Sequence, residues 1–305
     1  MKRRIKKAGI FLVLTFVVSL IIYAQTPDDS VYVTDMTLSQ FLPKALQQNS
    51  DSREWETCED TESAGAALRE AFRERKTEVT LMLTDDSIKD SDYNDVFTQI
   101  YDIALEHTGV GDEGDYLKWH LSQLDVSFAK SSGAFDIEIA YLDDDTMEDQ
   151  TTQAVEEVEE SLPISSDDST YDIIYTVYDY LANSITYDKE DESELPHTAY
   201  DGIINGKAVC QGYALLFYRI LLDYGIDNRM IVSDTHAWNL VDIDGEYYEC
   251  DLTWDSQEAE MGNDYEYFLK ADLSIDNTAH DWKSDVLDDE VYSLYRSETD
   301  YDVIA

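Results

Sequence analysis

Cys210, His236 and Asp251 are the residues of this sequence whose types and spacing can do chemistry together. A thiol attacks as its thiolate, and a helix N-terminus with an adjacent imidazole favours that form. A third group that holds the imidazole in place completes the nucleophile–base–orienter arrangement. The His–Asp part can be worked out from spacing alone. Asp244-Gly245 joins two strand-like runs, 236–243 and 246–254, and is the strongest short signal for a two-residue hairpin. Ile243 then pairs with Glu246, Trp238 faces Asp251 and His236 faces Thr253. Residues two apart on a strand share a face, so His236 and Asp251 lie diagonally on one face, about 7–8 Å apart between backbones and somewhat closer between Cβ atoms. A three-residue bulged loop would shift this register. Cys250 falls on the opposite face and reads as a small buried hydrophobe.

Cys210 opens a predicted helix that runs to Tyr224 and is stopped by Gly225. Before it, residues 171–188 put Ile174, Val177 and Leu181 on one helical face, with Asp168 or Ser169 as N-cap. A strand-like run follows at 228–233, ahead of the hairpin. Residues 163–169 read as a boundary, because upstream the pattern is that of a separate small α/β unit over 62–162. That unit has helical segments at 64–75, 95–107 and 151–162, an alternating run at 77–84, and a hairpin pattern around Ser131-Ser132-Gly133. His107 and His120 within it have no acidic or Cys neighbour at ligand spacing and read as satisfied histidines. Residues 25–61 read as a linker segment and 286–305 as a C-terminal tail.

Composition narrows the partners. The 305 residues hold 67 Asp+Glu against 21 Lys+Arg, a net charge of −46. Such a surface repels nucleic-acid phosphates and anionic lipid headgroups. An apolar fraction of 43% excludes a disordered acidic polymer. Five of the cations lie within the first seven residues, followed by an uncharged apolar run from Ala8 to Ala24. This is the pattern of an export signal. At roughly 25 Å as a helix the run also reaches the lower limit of a membrane anchor, and Ile22 is a poor match to a cleavage site. Residues 1–24 therefore read as a signal peptide or signal anchor, and the remainder as secreted or cell-surface. The odd count of three cysteines leaves at least one thiol unpaired inside the chain. Cys58 and Cys250 stay open to a disulfide or to remaining thiols. No zinc or calcium ligand spacing and no phosphate loop is present, so no metal or cofactor is expected.

The blocks GKAVCQGYALLF (206–217), DTHAWNLVDIDGEYYECDLTWD (234–255) and YFLKADLSIDNTAH (267–280) resemble the transglutaminase-like superfamily, closest to its secreted bacterial members. The resemblance covers about 170–282 and implies an α+β class with a papain-like core, a Cys-bearing helix packed on an antiparallel sheet, within a domain taken as 168–285. It implies Cys210 as nucleophile, His236 as general base and acid, and Asp251 as orienter, acting on amide bonds of protein or cell-wall peptide through an acyl-thioester. Water or an amine resolves that intermediate, and an exposed cleft tilts the outcome toward water. The Cys210 backbone N–H is the first oxyanion donor and Tyr200 a candidate second. Trp238 is a candidate wall of the substrate cleft or a packing residue. Trp254 and Tyr213 read as core or structural residues, His280 as a structural hydrogen-bonding residue, and His197 as a solvated loop residue or one that lines the cleft. The alternative is a catalytically silent extracellular binding or scaffold module of the same fold.

Overall fold

The structure is a computed structural model that describes residues 20–24, 55–85, 88, 91–130, 132–188, 190–191, 193–259, 265–275, 280, 291 and 293–302. The N-terminal part contains β1 (Leu20–Ala24), β2 (Trp55–Cys58), α1 (Thr61–Arg73), β3 (Glu78–Leu83), α2 (Tyr93–Ala104), α3 (Asp115–His120), β4 (Leu121–Ala129), β5 (Ala134–Tyr141) and α4 (Asp145–Ser161). The strands form one sheet in the order β1-β4-β5-β3-β2, with β4 and β5 the antiparallel hairpin. Two edges extend what the sequence pattern shows. β2 lies within the segment read as a linker and pairs parallel to β3. β1 is the end of the apolar N-terminal run and pairs parallel to β4; the rest of that run lies outside the described residues. Among the described residues no helix is long and apolar enough to cross a membrane.

Local chemistry explains where these helices begin. Asp60 caps α1 and shares a reciprocal capping box with Ser63; Asp144 caps α4 through the Met147 N–H. Leu68 and Phe72 of α1 and Phe97 and Ile100 of α2 meet Leu81, Leu124 and Phe135 of the sheet in one core. α3 spans six residues behind Gly114, which has no side chain to cap it, and so carries too little periodicity to be read from sequence.

The second part contains α5 (Thr170–Ser184), β6 (Thr186–Tyr187), β7 (Lys207–Ala208), α6 (Cys210–Asp223), β8 (Asn228–Val232), β9 (Ala237–Ile243), β10 (Glu246–Cys250), α7 (Leu252–Ala259) and α8 (Asp272–Ile275). Ser169 caps α5 with Asp172 as its capping-box partner. α6 is apolar around most of its circumference, as a central helix must be, and is buried at Cys210 and from Gly212 to Leu222. It packs against the antiparallel sheet β10-β9-β8. Asp244 and Gly245 both take positive φ, 57° and 88°, the backbone a type I′ turn requires. The register is the expected one, from Glu246↔Ile243 to Cys250↔Asn239. The ladder ends there. The alternating pattern suggests strand up to Trp254, but Leu252–Ala259 is helix, because the Asp251 carboxylate accepts the Trp254 N–H at 3.1 Å and turns the chain into α7. Part of the segment read as a tail lies along β10: Tyr247 N–H donates to Tyr295 O, and Ser297 N–H to Tyr247 O, both at 2.9 Å.

The two parts are joined by buried polar contacts as well as apolar ones. Arg219 of α6 donates to Glu148 of α4 at 2.7 Å and to the Tyr116 hydroxyl at 2.9 Å. Arg75 donates to the other Glu148 oxygen at 2.7 Å and to Asp143 at 2.9 Å. Arg229 of β8 forks onto Asp115 of α3 at 2.8 and 3.0 Å. Val155 and Val158 of α4 belong to the same apolar core as α5 and α6.

Candidate active site

Cys210 is the first residue of α6, so its backbone N–H is among those without an intrahelical partner. The approach to it is fixed by Val209 N–H donating to Pro196 O at 2.9 Å. Gly212 matters for the same reason. A Cβ at this position would lie 2.8 Å from Thr198 O and 2.9 Å from Pro196 O. Only glycine lets the 196–198 backbone press against the first turn of the helix.

His236 stands immediately before β9, and Asp251 immediately after β10, as next neighbours beyond the hairpin ladder. His236 Nε2 meets Asp251 Oδ2 at 2.6 Å, and the Cys210 side chain lies close enough to His236 to raise its proton affinity. With Nε2 on the carboxylate, Nδ1 is the ring nitrogen left for the thiol. Burial alone would lower the imidazole pKa, but the Asp251 charge and hydrogen bond, reinforced by Cys210, lift it to about 10. Asp251 is raised by burial and brought down to about 2 chiefly by His236, with His280 adding to the effect. The arrangement favours an imidazolium beside the Cys210 side chain. Cys210 is 3% exposed and His236 6%, so the dyad is enclosed and the exposed cleft used to argue for water is not what the structure has.

The other two cysteines differ. All three are free thiols, and Cys58 and Cys250 lie in separate cores, so they do not form the disulfide left open by the sequence. Cys250 accepts the Leu269 N–H at 3.4 Å, and burial pushes its pKa up.

Two expected cleft residues are placed differently. The Tyr200 hydroxyl donates to Gln150 Oε1 of α4 at 3.2 Å, so the candidate second oxyanion donor serves a contact with α4. Trp238 is 1% exposed and its indole N–H donates to Glu249 at 2.8 Å. It does not wall a cleft; its ring stacks on His236 at 5.8 Å and 18°. Asn239 turns to Ala214 O of α6 at 3.1 Å, and the Tyr213 hydroxyl donates to Ile185 O at 2.9 Å.

Sequence reasoning missed three placements. His280 Nε2 reaches the same Asp251 oxygen as His236, at 2.8 Å. Tyr187, paired with Ala208 across β6 and β7, lies close enough to Cys210 and Asp251 that, with burial as the larger cause, their charges push its pKa up. His197 is half-buried beside Gln211 rather than solvated, and burial lowers its pKa; the Gln211 amide donates to Trp119 O of α3 at 2.7 Å. Two had a signal in sequence: His280 ends the third block of the resemblance, though its partner Asp251 could not be read there, and Gln211 stands beside Cys210.

Among the described residues, His236, Asp251 and His280 bring ligand-type atoms within 4.8 Å of one another. The sequence spacing showed no such group because its members come from separate segments. Both imidazoles lie at hydrogen-bond distance from one carboxylate oxygen, and that is the bonding the geometry describes.

Residues 153–279 match the model of a family described as a transglutaminase-like domain, and the architecture of this part mixes helices with an antiparallel sheet. The match begins within α4, the helix whose Val155 and Val158 enter the α6 core. No curated protein matches the chain. Among solved structures, a cysteine-protease candidate from Cytophaga hutchinsonii is similar over 34% of this chain and 38% of its own, at 19% identity and a TM-score of 0.29. A TGase is similar over 58% of this chain and 51% of its own, at 16% identity and a TM-score of 0.31. Menin is similar over 36% of this chain and 26% of its own, at 16% identity and a TM-score of 0.29. The chain thus spans between about a quarter and about half the length of these proteins.

Proposed function

We propose that the protein is an exported cysteine-dependent amide-bond enzyme, with Cys210 as nucleophile, His236 as general acid and base, and Asp251 as orienter. The observation that carries this reading is the His236 Nε2–Asp251 Oδ2 contact at 2.6 Å, with Cys210 at the start of a helix and near enough to the ring to add to the rise of the imidazole pKa. A cysteine kept for packing, such as Cys250, has no such partners. The step is acyl transfer. The Cys210 sulfur attacks the amide carbonyl, the charge that gathers on oxygen is met by the Cys210 backbone N–H, and His236 gives its proton to the departing nitrogen. That leaves a thioester. Water or a primary amine then adds while His236 takes up a proton, and the thiol is released. Enclosure of the dyad supports an amine acceptor as well as water, since access is restricted for both. The substrate class is a protein or cell-wall peptide, with a net charge of −46 favouring cationic ones and disfavouring nucleic acid.

The test is alkylation of Cys210 by iodoacetamide near pH 6, together with a peptide library and a labelled primary amine scored for cleavage, deamidation and amine incorporation. Fast labelling that disappears in His236→Ala, with turnover lost in Cys210→Ala, is the expected result. Labelling no faster than that of a free thiol would sink the reading and leave the non-catalytic binding module of the same fold.

A further inference from the structure

Asp251 is fully enclosed. A carboxylate in that setting keeps its charge only when nearby donors replace the water it has lost. Three N–H groups do so. His236 Nε2 at 2.6 Å and His280 Nε2 at 2.8 Å share Oδ2, and the Trp254 backbone N–H takes Oδ1 at 3.1 Å. A carboxylate oxygen only accepts, so His280 presents an Nε2–H to it.

The placement of His280 is tightly determined. Its residue is 3% exposed, and its ring stacks on Tyr267 at 6.1 Å and 19°. It meets Trp254 and Trp238 edge-on at 4.7 and 4.9 Å, and the His236 ring at 5.2 Å and 87°. A ring wanted only for packing needs no nitrogen aimed at a buried carboxylate. A donor on Oδ2 also limits how the carboxylate can turn, because Oδ1 is already committed to the α7 backbone.

We propose that His280 is a positioning residue for the Cys210–His236 pair: acting through Asp251, it holds the carboxylate charged and turned toward His236 Nε2 without touching the substrate. This rests on the enzymatic reading given above. It separates two roles that one imidazole cannot combine. His236 must gain and lose a proton during turnover, whereas His280 bonds the same carboxylate oxygen at 2.8 Å.

Other titratable groups feel the Asp251 charge or give theirs to it: His236, Asp255, Tyr178, Tyr187 and Cys250. The readout is therefore taken at the thiol rather than from overall stability. The rate of iodoacetamide alkylation at Cys210, located by mass spectrometry, is followed against pH in the full chain and in two opposed variants. His280→Gln keeps an N–H donor of similar reach and loses the ring; His280→Phe keeps the ring and loses the donor, with His280→Leu standing in should the Phe variant not fold. The expected result is a loss of about 10–100-fold near pH 6 in the donor-less variant, the range typical of groups that orient an active-site ligand, with the acid side of the profile moved upward. The Gln variant should stay within about threefold of the parent, the difference one partly kept hydrogen bond makes. Phe equal to or above Gln, or no change in either, overturns the proposal. A parent chain whose Cys210 reacts no faster than a free thiol, and is unaffected by His236→Ala, instead overturns the enzymatic reading itself.

Discussion

Arg219, on the helix that Cys210 begins, donates to Glu148 of α4 at 2.7 Å, and both side chains are at most about a tenth exposed. The same carboxylate takes a second guanidinium, Arg75, at 2.7 Å. One acid thus ties the N-terminal part to the helix of the candidate nucleophile.

Replacing Glu148 by Leu leaves Arg219 and Arg75 buried without their shared counter-charge. Removing one member of such a group costs about 3–5 kcal/mol, so Glu148→Leu should lower the free energy of urea unfolding by about that amount. The pH dependence has a definite sign. Burial alone would raise the Glu148 pKa, but Arg75 first and then Arg219 bring it to about 2. Its contribution is complete above the unfolded value of about 4.3 and is lost as pH falls toward about 2. A parent chain equally stable at pH 5 and pH 2.5 would contradict this.

The His236 imidazole gives the opposite limb. Its folded pKa is raised to about 10 by Asp251, against burial. The imidazolium is therefore complete below the unfolded value of about 6.5 and is lost as pH rises through about 10. Turnover, which needs the imidazolium to protonate the departing nitrogen, should fall on the alkaline side near that value. In Asp251→Asn the fall should move toward neutrality, and turnover should drop on the order of 10⁴-fold, as when a comparable orienting acid is removed. An unchanged alkaline limb in the Asn variant would dissociate Asp251 from the proton on His236.

Gly212 is tested by a single methyl group. Alanine would place Cβ 2.8 Å from Thr198 O, so either that backbone or the first turn of α6 must move. Overpacking of this kind costs about 1–3 kcal/mol, and a shift of about 1 Å at the thiol costs about 100-fold in rate. Thermal melting and kcat measure the two effects separately. Parent-like values for both would show that the 196–198 segment yields freely.

Tyr200→Phe removes a hydroxyl that bonds Gln150. Turnover is expected to stay within about twofold of the parent, since a partly exposed side-chain hydrogen bond is worth about 0.5–1.5 kcal/mol to stability and this hydroxyl is engaged by α4. A loss of 100-fold would return Tyr200 to the oxyanion site.

Much of the arrangement was legible because the Asp244-Gly245 turn leaves little freedom. Once two positive-φ residues close the hairpin, every pairing up to Cys250↔Asn239 follows by counting, and His236 and Asp251 fall next to each other. The helix that Cys210 opens was legible from its apolar run and Gly225. What failed depended on particular side-chain contacts, near and far in sequence, that no periodicity encodes. The alternation from Glu246 to Trp254 suits a strand, and only the Asp251 carboxylate bound to the Trp254 N–H ends it. Trp238 lies on the expected face, yet Glu249 captures its indole. Tyr200 lies near the site in sequence, but α4, which takes its hydroxyl, is brought there by the Arg219–Glu148 pair. His280 reaches Asp251 from 29 positions away, and no local pattern encodes that distance.

Asp251 uses one oxygen to start α7 and the other to hold two imidazoles. Its two duties cannot be inherited separately. A substitution that silences the chemistry while sparing the architecture is open at Cys210, whose sulfur begins a helix that its neighbours already hold. At Asp251 the same silencing also uncaps a helix and strands two buried rings. Loss of function by drift in this chain therefore has an easy door at the thiol and a barred one at the acid.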